Sequence, residues 1–294
     1  MRYDNKPIGR YWERLNALFY VASPFRNPTI GWASDIQGFT RKKLEDHVHK
    51  FYTPDNALIV LVGNIDPKTA KKGIERYFGA ISRAAKPKEE VITREPKPIG
   101  ETRFTVRDDA APRIDMLFHT PGYPSDVLYK LDVVEAVFSG RSGRLYHRLV
   151  DKEGLCTSAG AGNGIQLFDS YFTVWAQMKN DADPARVEAI IREELAALAA
   201  TPPSPAEMMR VQNEIRMAFV SNLTNLEGIS DKLAWFERLR SWQDMLEFPK
   251  HIAEVNREEI PAVVREYLDP ARMTIGLLLQ NPADNKKASG ATKN

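Results

Sequence analysis

The five histidines are the residues whose type suggests metal chemistry, and they stand at positions 47, 49, 119, 147 and 251. Only His47 and His49 are close together along the chain. Two ligands of one ion on a helix must be three or four residues apart, whereas residues two apart point about 200° away from each other. The motif H-x-x-E-H occurs nowhere in the sequence. The sequence therefore predicts no metal ligand and no catalytic residue in this chain, and solvated helix histidines at 47 and 49.

The string SGRSGRL at 139–145 combines glycine, serine and arginine in a pattern that suggests two kinds of site. It lacks the spacing and the preceding strand of a G-x-S-x-G nucleophile, which excludes serine-hydrolase chemistry. Gly140, Ser142 and Gly143 precede a predicted helix start between two arginines, so this backbone is a candidate anion site. The alternative is a tight turn with a helix cap, which we favour because the string has no P-loop lysine.

The single cysteine, Cys156, excludes an intrachain disulfide and a metal cage built from several thiolates. A nucleophilic cysteine needs a neighbouring base, and the sequence offers no evident partner. We therefore expect Cys156 to be a small buried residue.

The charge balance gives little information about partners. Lys and Arg total 41 against 39 Asp and Glu, a formal net charge of +2, so no overall field favours nucleic acid or an anionic membrane. No apolar stretch reaches the roughly 18 residues of a spanning helix, and the amino terminus has the pattern of neither a signal peptide nor a transit peptide. We expect a chain that binds no nucleic acid and spans no membrane.

Hydrophobic periodicity predicts alternating helices and strands. In the first third, helices are expected at 9–22, 40–53 and 67–78, and the apolar run ALIVLVGNID at 57–66 predicts a strand buried on both faces. Later segments predict the strands RFTVRD, RIDMLFHTPG and MTIGLLLQN, a strand pair in SAGAGNGIQLFDSYFTVWAQMK, and helices beginning at Asp126, Pro184 and Pro205. This alternation indicates helices layered on strands.

The stretch SRAAKPKEEVITREPKPIGE has three prolines, dense charge and few large apolar residues, which is typical of an exposed linker. We place the linker at 85–100, between a first domain at 1–84 and a second at 101–281. The polar tail at 282–294 is predicted to be disordered.

Three segments together resemble one enzyme family. They are NKPIGRYWERLNALFYVASPFRNPTIGWASDI, FYTPDNALIVLVGNID and SGRLYHRLVDKEGL. In this order they resemble the carboxyl-terminal portion, without the metal motif, of the pitrilysin/insulinase-type (inverzincin) zinc metallopeptidases. The likeness is to the zinc-subunit type of the bacterial two-subunit members and of the mitochondrial processing peptidase, and it extends over roughly residues 5 to 281.

The resemblance implies the α+β class, as an α/β sandwich of two similar domains, each a mostly antiparallel sheet covered by helices. Residues 1–84 would be the remainder of the zinc-type domain, truncated at its amino terminus, and 101–281 the non-catalytic peptidase-like domain. No cofactor is expected in this chain, whereas zinc is expected in the full-length parent. There the glutamate of H-x-x-E-H would act as general base on zinc-bound water.

The family's non-metal domain supplies an Arg and a Tyr, seven residues apart, that hold the substrate carbonyl and stabilise the oxyanion. Aligning VDKEGLCT places Val150 and Thr157 at those positions. Valine donates no hydrogen bond and threonine is shorter than a phenol, so we expect neither contact. If the alignment shifts, Arg148 is the nearest arginine.

The resemblance therefore implies a non-catalytic portion of a zinc metalloendopeptidase that contributes to a peptide-binding chamber and to subunit assembly. It implies no hydrolysis by this chain alone, and a homo- or heterodimer with a related subunit that carries the Arg/Tyr pair. The alternative is a degenerate homologue that acts as a structural scaffold subunit. By family analogy the parent is expected in the periplasm, with the cytoplasm as the alternative.

Overall fold

The computed structural model describes residues 6–83 and 91–281, and the chain contacts divide it into two units. The sheet unit comprises 6–27, 94–218 and 248–281, and the helical unit comprises 28–83, 91–93 and 219–247. This division into units rests on contacts within the chain. The predicted domains at 1–84 and 101–281 rest on composition and family resemblance, and they stay a prediction. The predicted disordered tail at 282–294 lies outside the described residues.

The sheet unit is built on a five-stranded sheet. Its strands are β1 Thr102–Asp108, β2 Arg113–Thr120, β3 Cys156–Gly164, β4 Ser170–Met178 and β5 Thr274–Gln280. Their order is β1-β5-β2-β4-β3, in which β1 and β5 pair in parallel and every other pair is antiparallel. The closing strand predicted from MTIGLLLQN thus lies inside the sheet, and the predicted α+β class with a mostly antiparallel sheet is confirmed.

The described residues also form helices of very different length. They are α1 Pro7–Phe19, α2 Ala33–Gln37, α3 Arg41–Phe51, α4 Pro67–Phe78, α5 Asp126–Phe138, α6 Arg144–Tyr146, α7 Pro184–Ala200, α8 Pro205–Asn222, α9 Leu226–Leu239, α10 Asp244–Glu254 and α11 Ile260–Tyr267. Among these described helices, none combines the length and the hydropathy that crossing a membrane requires.

Local capping chemistry explains where several helices begin. The side chain of Asp183 accepts a hydrogen bond from Ala185 N ahead of Pro184, and Thr40 Oγ1 accepts one from Lys43 N. Ser204 accepts one from Glu207 N at 3.1 Å. Helices α5, α7 and α11 pack on the sheet or on each other.

The predicted strand at 57–66 is wrong. Residues 57–62 form no β-ladder with any described residue, and Leu58 and Leu61 are each 52% exposed. The apolar run reports which side chains favour burial, but a strand exists only through hydrogen bonds to a neighbouring strand. The helix expected at 40–53 is present as α3. Its apolar residues Leu44 and Val48, one helical turn apart, stay exposed.

The described part of the predicted linker is held in place by Glu95. Its carboxylate accepts hydrogen bonds from three successive backbone N–H groups, those of Val21, Ala22 and Ser23, at 2.6, 2.9 and 2.7 Å. Arg94 lies over the ring of Phe168, 4.1 Å from its centroid. A carboxylate that receives several N–H bonds fixes the backbone on both sides, so this part of the predicted linker has defined contacts.

Helix α1 packs on the sheet through a tyrosine. Tyr11 is fully buried, and its hydroxyl donates to Asp115 Oδ2 at 2.8 Å. Its ring stacks on Phe104 at 5.6 Å between centroids. Between Phe104 and Asp115 in the strand register lies Gly276, where a Cβ would come within 2.5 Å of the tyrosine oxygen. A side chain at 276 would therefore push the helix away from the sheet.

Asp115 is a charged group with no exposure, and Arg113 neutralises it. The Arg113 guanidinium donates to both carboxylate oxygens at 2.7 Å. The same guanidinium lies 4.8 Å from the ring centroid of Trp175 and 5.8 Å from that of Trp12. Burial, and next the neighbouring carboxylate of Asp115, raise the pKa of Tyr11, so its phenol stays a hydrogen-bond donor. The cluster joins α1 to the central strands.

We predict that Asp115→Asn lowers the free energy of unfolding by about 3 kcal/mol, because it leaves the Arg113 cation half-paired in a buried site. Urea unfolding followed by circular dichroism measures the change. Glu45→Gln is the control, because the pair of Glu45 with Arg41 is exposed and should contribute less than about 1 kcal/mol. Equal effects of the two substitutions would contradict the central place given to Asp115.

We predict that Gly276→Ala costs about 1–3 kcal/mol of stability, since the added methyl group overlaps the Tyr11 hydroxyl. Tyr11→Phe in the same chain removes that oxygen, so the double variant should lose less than the sum of the two single losses. Gly100→Ala is the matched control, because a Cβ there meets nothing within 4 Å. Simple additivity of the two losses in urea unfolding would argue against the contact.

Candidate functional site

The segment that resembles the family's oxyanion-binding region lies between α5 and β3. It begins with a tight turn in which Gly140 has φ +77°. A Cβ on Gly143 would collide with the carbonyl oxygens of Phe138 and Ser139, so glycine is required there. Ser139 ties the turn to β3, because its Oγ accepts from Ala161 N at 2.9 Å and donates to Ala161 O at 3.1 Å.

The candidate anion site in this turn is occupied by the chain's own contacts. Arg144 makes a two-bond pair with Glu207, at 2.8 and 2.5 Å, and Glu207 is thereby diverted from closing a capping box with Ser204. Ser142 Oγ is a neighbour of Glu214 at 3.3 Å. Arg210 donates to Ser142 Oγ at 3.0 Å and pairs with Glu214 at 2.8 Å. The polar groups of the turn thus bond within the chain, and the geometry supports the tight turn that the sequence analysis favoured.

Helix α6 continues into a single π-helical turn at His147–Lys152, which carries Val150. The N–H of Glu153 bonds to the carbonyl oxygen of Arg148 at 3.0 Å, and the N–H of Leu155 bonds to that of Leu149 at 3.0 Å. Gly154 closes the turn at φ +65°. Turns of this kind often occur at functional sites, because the extra residue redirects a side chain. In this turn the position aligned with the family's arginine is Val150, whose side chain is half-buried.

Thr157 lies at an irregularity in strand β3. Cys156 pairs with Met178 and Ser158 pairs with Gln177, which leaves Thr157 as the extra residue of a β-bulge. Its side chain is exposed, and its hydroxyl donates to Gln177 O at 3.3 Å. The hydroxyl is thus bound to the chain's own backbone.

Arg148, the nearest arginine to these positions, is ion-paired. Its guanidinium contacts Glu153 at 3.2 Å, Glu193 at 3.0 Å and Glu194 at 3.8 Å. These carboxylates hold the cation against α7. Arg148 would have to break the three contacts before it reached a substrate carbonyl.

Sequence reasoning missed one cation beside this turn. Lys179 Nζ lies 3.8 Å from where a Cβ on Gly154 would stand, and Lys179 N donates to Leu155 O at 2.9 Å. The pairing of β3 with β4 brings the lysine there from more than 20 residues downstream. Its position follows from strand register, for which the sequence carries no local signal.

Cys156 is buried at the start of β3, as predicted. Burial raises the pKa of its thiol to about 11. At neutral pH the group is therefore a thiol and not the thiolate that acts as nucleophile or metal ligand.

The histidines are spread over separate elements. His47 and His49 lie on the exposed helix α3, and His147 lies near Asp151 at 3.6 Å. His251 stacks on Tyr129 at 4.6 Å between ring centroids. Within the ranges 6–83 and 91–281, no three His, Cys, Asp or Glu side chains form a group that could hold a metal ion.

Comparison with curated proteins finds relatives that are zinc proteases. The chain is 23% identical over 280 residues to zinc protease PqqE of Helicobacter pylori. The aligned region covers 93% of this chain and 62% of the relative. It is 25% identical over 276 residues to an uncharacterized zinc protease of Mycobacterium bovis, over 90% of this chain and 61% of the relative. The chain thus spans about three fifths of the length of these relatives.

Solved structures with the same fold include a protease from Helicobacter pylori, with a TM-score of 0.88 and 23% identity, over 95% of this chain and 68% of that chain. The peptidase M16 inactive domain from Pseudomonas fluorescens gives a TM-score of 0.81 at 17% identity, over 96% and 68%. The family model of the peptidase M16 inactive domain matches residues 38–215, which is more than half of the sequence. The chain therefore belongs to the peptidase M16 inactive domain family.

Proposed function

We propose that this chain is a non-catalytic portion of a zinc metalloendopeptidase, forming part of a peptide-binding chamber and of a subunit interface. On this proposal the full-length parent binds zinc, and a related subunit supplies the Arg/Tyr pair. The chain alone hydrolyses no peptide.

One observation carries the proposal: the segment that resembles the family's oxyanion-binding region has a defined backbone, and the two positions aligned with the family's Arg and Tyr hold Val150 and Thr157. The π-helical turn, Gly154 and the bulge are all present. Val150 has no polar group, and the Thr157 hydroxyl bonds to Gln177 O. Removing a single oxyanion donor typically costs 10²–10³ in kcat, so two missing donors must be supplied from elsewhere.

The helical unit supports the role in assembly. The side chains of Leu44 and Val48 on α3 are 51% and 49% exposed, although helical spacing places them on one apolar face. The extended run 57–62 exposes Leu58 and Leu61 as well. Apolar surfaces of this kind on soluble proteins mark interfaces. We infer that further protein, either the rest of the parent or a related subunit, packs on this unit.

We predict that the parent, extended upstream through its expected H-x-x-E-H motif, binds about one zinc per molecule while this chain binds none. Zinc is measured by elemental analysis after dialysis. Hydrolysis of a quenched fluorescent peptide should require the parent together with a subunit that carries Arg and Tyr.

Two variants of the parent sharpen this test. The double variant Val150→Arg/Thr157→Tyr should give measurable hydrolysis without the partner, whereas the control Val150→Leu/Thr157→Ser should give none. If the unmodified parent hydrolyses peptides alone as fast as the double variant, the proposed partner is wrong. If the parent binds no zinc, the scaffold role of a degenerate homologue replaces the peptidase role.

A further inference from the structure

Three successive backbone N–H groups just after α1 converge on one carboxylate. They belong to Val21, Ala22 and Ser23, and they donate to the side-chain oxygens of Glu95 at 2.6, 2.9 and 2.7 Å. These donors precede the short 3₁₀ turn Pro24–Arg26, so none of them is an N–H group of that turn. Successive N–H groups that point into one concavity form an anion-binding nest.

The carboxylate in this nest comes from a distant part of the chain. Glu95 follows its three donors by 72 to 74 residues and lies in a stretch, 91–100, that has no helix or strand. Pro96 and Pro98 come next and have no N–H group, which limits the backbone hydrogen bonds that this stretch can donate. Glu95 therefore has the position of a ligand that the chain itself tethers to the site.

Contacts other than those of Glu95 fix the three donors. Tyr20, which precedes them, is buried, and its hydroxyl donates to a backbone carbonyl of the β3–β4 hairpin at 3.0 Å. Arg26 Nη1 donates to Val21 O at 2.8 Å, and Arg26 N donates to Ser23 O at 3.1 Å. The backbone on both sides of the nest is thus held in place, and a preorganised site binds without a large ordering cost.

The nest can be reached from solvent on one side. Val21 is 64% exposed and Ala22 is exposed, whereas Ser23 is buried. A carboxylate suits the three donors because its two oxygens accept several hydrogen bonds and donate none. Bonds from backbone N–H groups to an ionised oxygen are also stronger than bonds between neutral groups.

We propose that the N–H groups of residues 21–23 form a carboxylate-binding site, which Glu95 occupies as an internal ligand and which an external carboxylate can take in its place. A free carboxylic acid and the C-terminal carboxylate of a peptide both offer this chemistry. Because Glu95 is part of the chain, its effective concentration at the site is high, and an external carboxylate must compete with it.

The test uses the variant Glu95→Ala, which removes the internal ligand. Acetate represents the free acid and Nα-acetyl-alanine represents the peptide terminus, and both are titrated at constant ionic strength. The amide NMR signals of residues 21–23 should shift saturably with either probe, and the relative affinities identify the source. Acetamide and Nα-acetyl-alanine amide are the uncharged controls. No saturable shift with the carboxylates, or equal shifts with the uncharged controls, would overturn the site.

The unmodified chain tests the internal ligand by competition. Its affinity for acetate should be lower than that of Glu95→Ala by about tenfold or more, because Glu95 already holds the three donors. Equal affinities of the two chains would show that acetate binds elsewhere and would refute the proposal.

Glu95→Gln keeps the length of the side chain and serves as a second variant if Glu95→Ala does not fold. Its NH₂ group accepts no hydrogen bond, so the amide hydrogens of residues 21–23 should exchange with solvent about tenfold faster, while those of α7 keep their rates. Glu75→Gln is the matched control, because Glu75 is an exposed carboxylate on α4, and it should change neither rate. Unchanged exchange at residues 21–23 in Glu95→Gln would contradict the proposed site.

Discussion

The carboxylate of Asp115 is the constraint on which the sheet unit depends. A charge without solvent exposure is tolerated only when its oxygens are fully bonded, and Arg113 and Tyr11 together provide this. Each partner then fixes another element. Arg113 stacks near Trp175 on the adjacent strand, and Tyr11 sets the position of α1 over Gly276. The buried carboxylate of Asp115 on β2 thus fixes helix α1 relative to the neighbouring strands β4 and β5.

In the candidate oxyanion-binding segment, the backbone conformation does not depend on the side chains at positions 150 and 157. Its turn, π-helical residue and bulge are retained for backbone reasons, since Gly143 avoids two carbonyl oxygens and Gly154 has positive φ. None of these features requires Arg at 150 or Tyr at 157. The backbone of the segment is thus defined without an arginine or a tyrosine at these two positions, and the nearby cation Arg148 pairs with Glu193 and Glu194 of α7.

The two units differ in how completely they bury apolar side chains. The sheet unit encloses both faces of its central strands, with α1 on one face and α5, α7 and α11 on the other. The helical unit leaves the apolar face of α3 and the run 57–62 exposed. Burial of such side chains contributes roughly 25 cal/mol per Å², so these exposed surfaces favour association with further protein.

The sequence by itself determined the features that depend on neighbouring residues. Helix starts at Thr40, Asp183 and Ser204 followed from capping chemistry, and the α+β class followed from the resemblance to the family. Only the tertiary structure decided the rest. The strand expected at 57–66 has no partner among the described residues, and the ion pairs of Arg148 involve residues up to 46 positions away. Lys179 reaches the turn at Gly154 through strand register, which leaves no periodic signal in the chain.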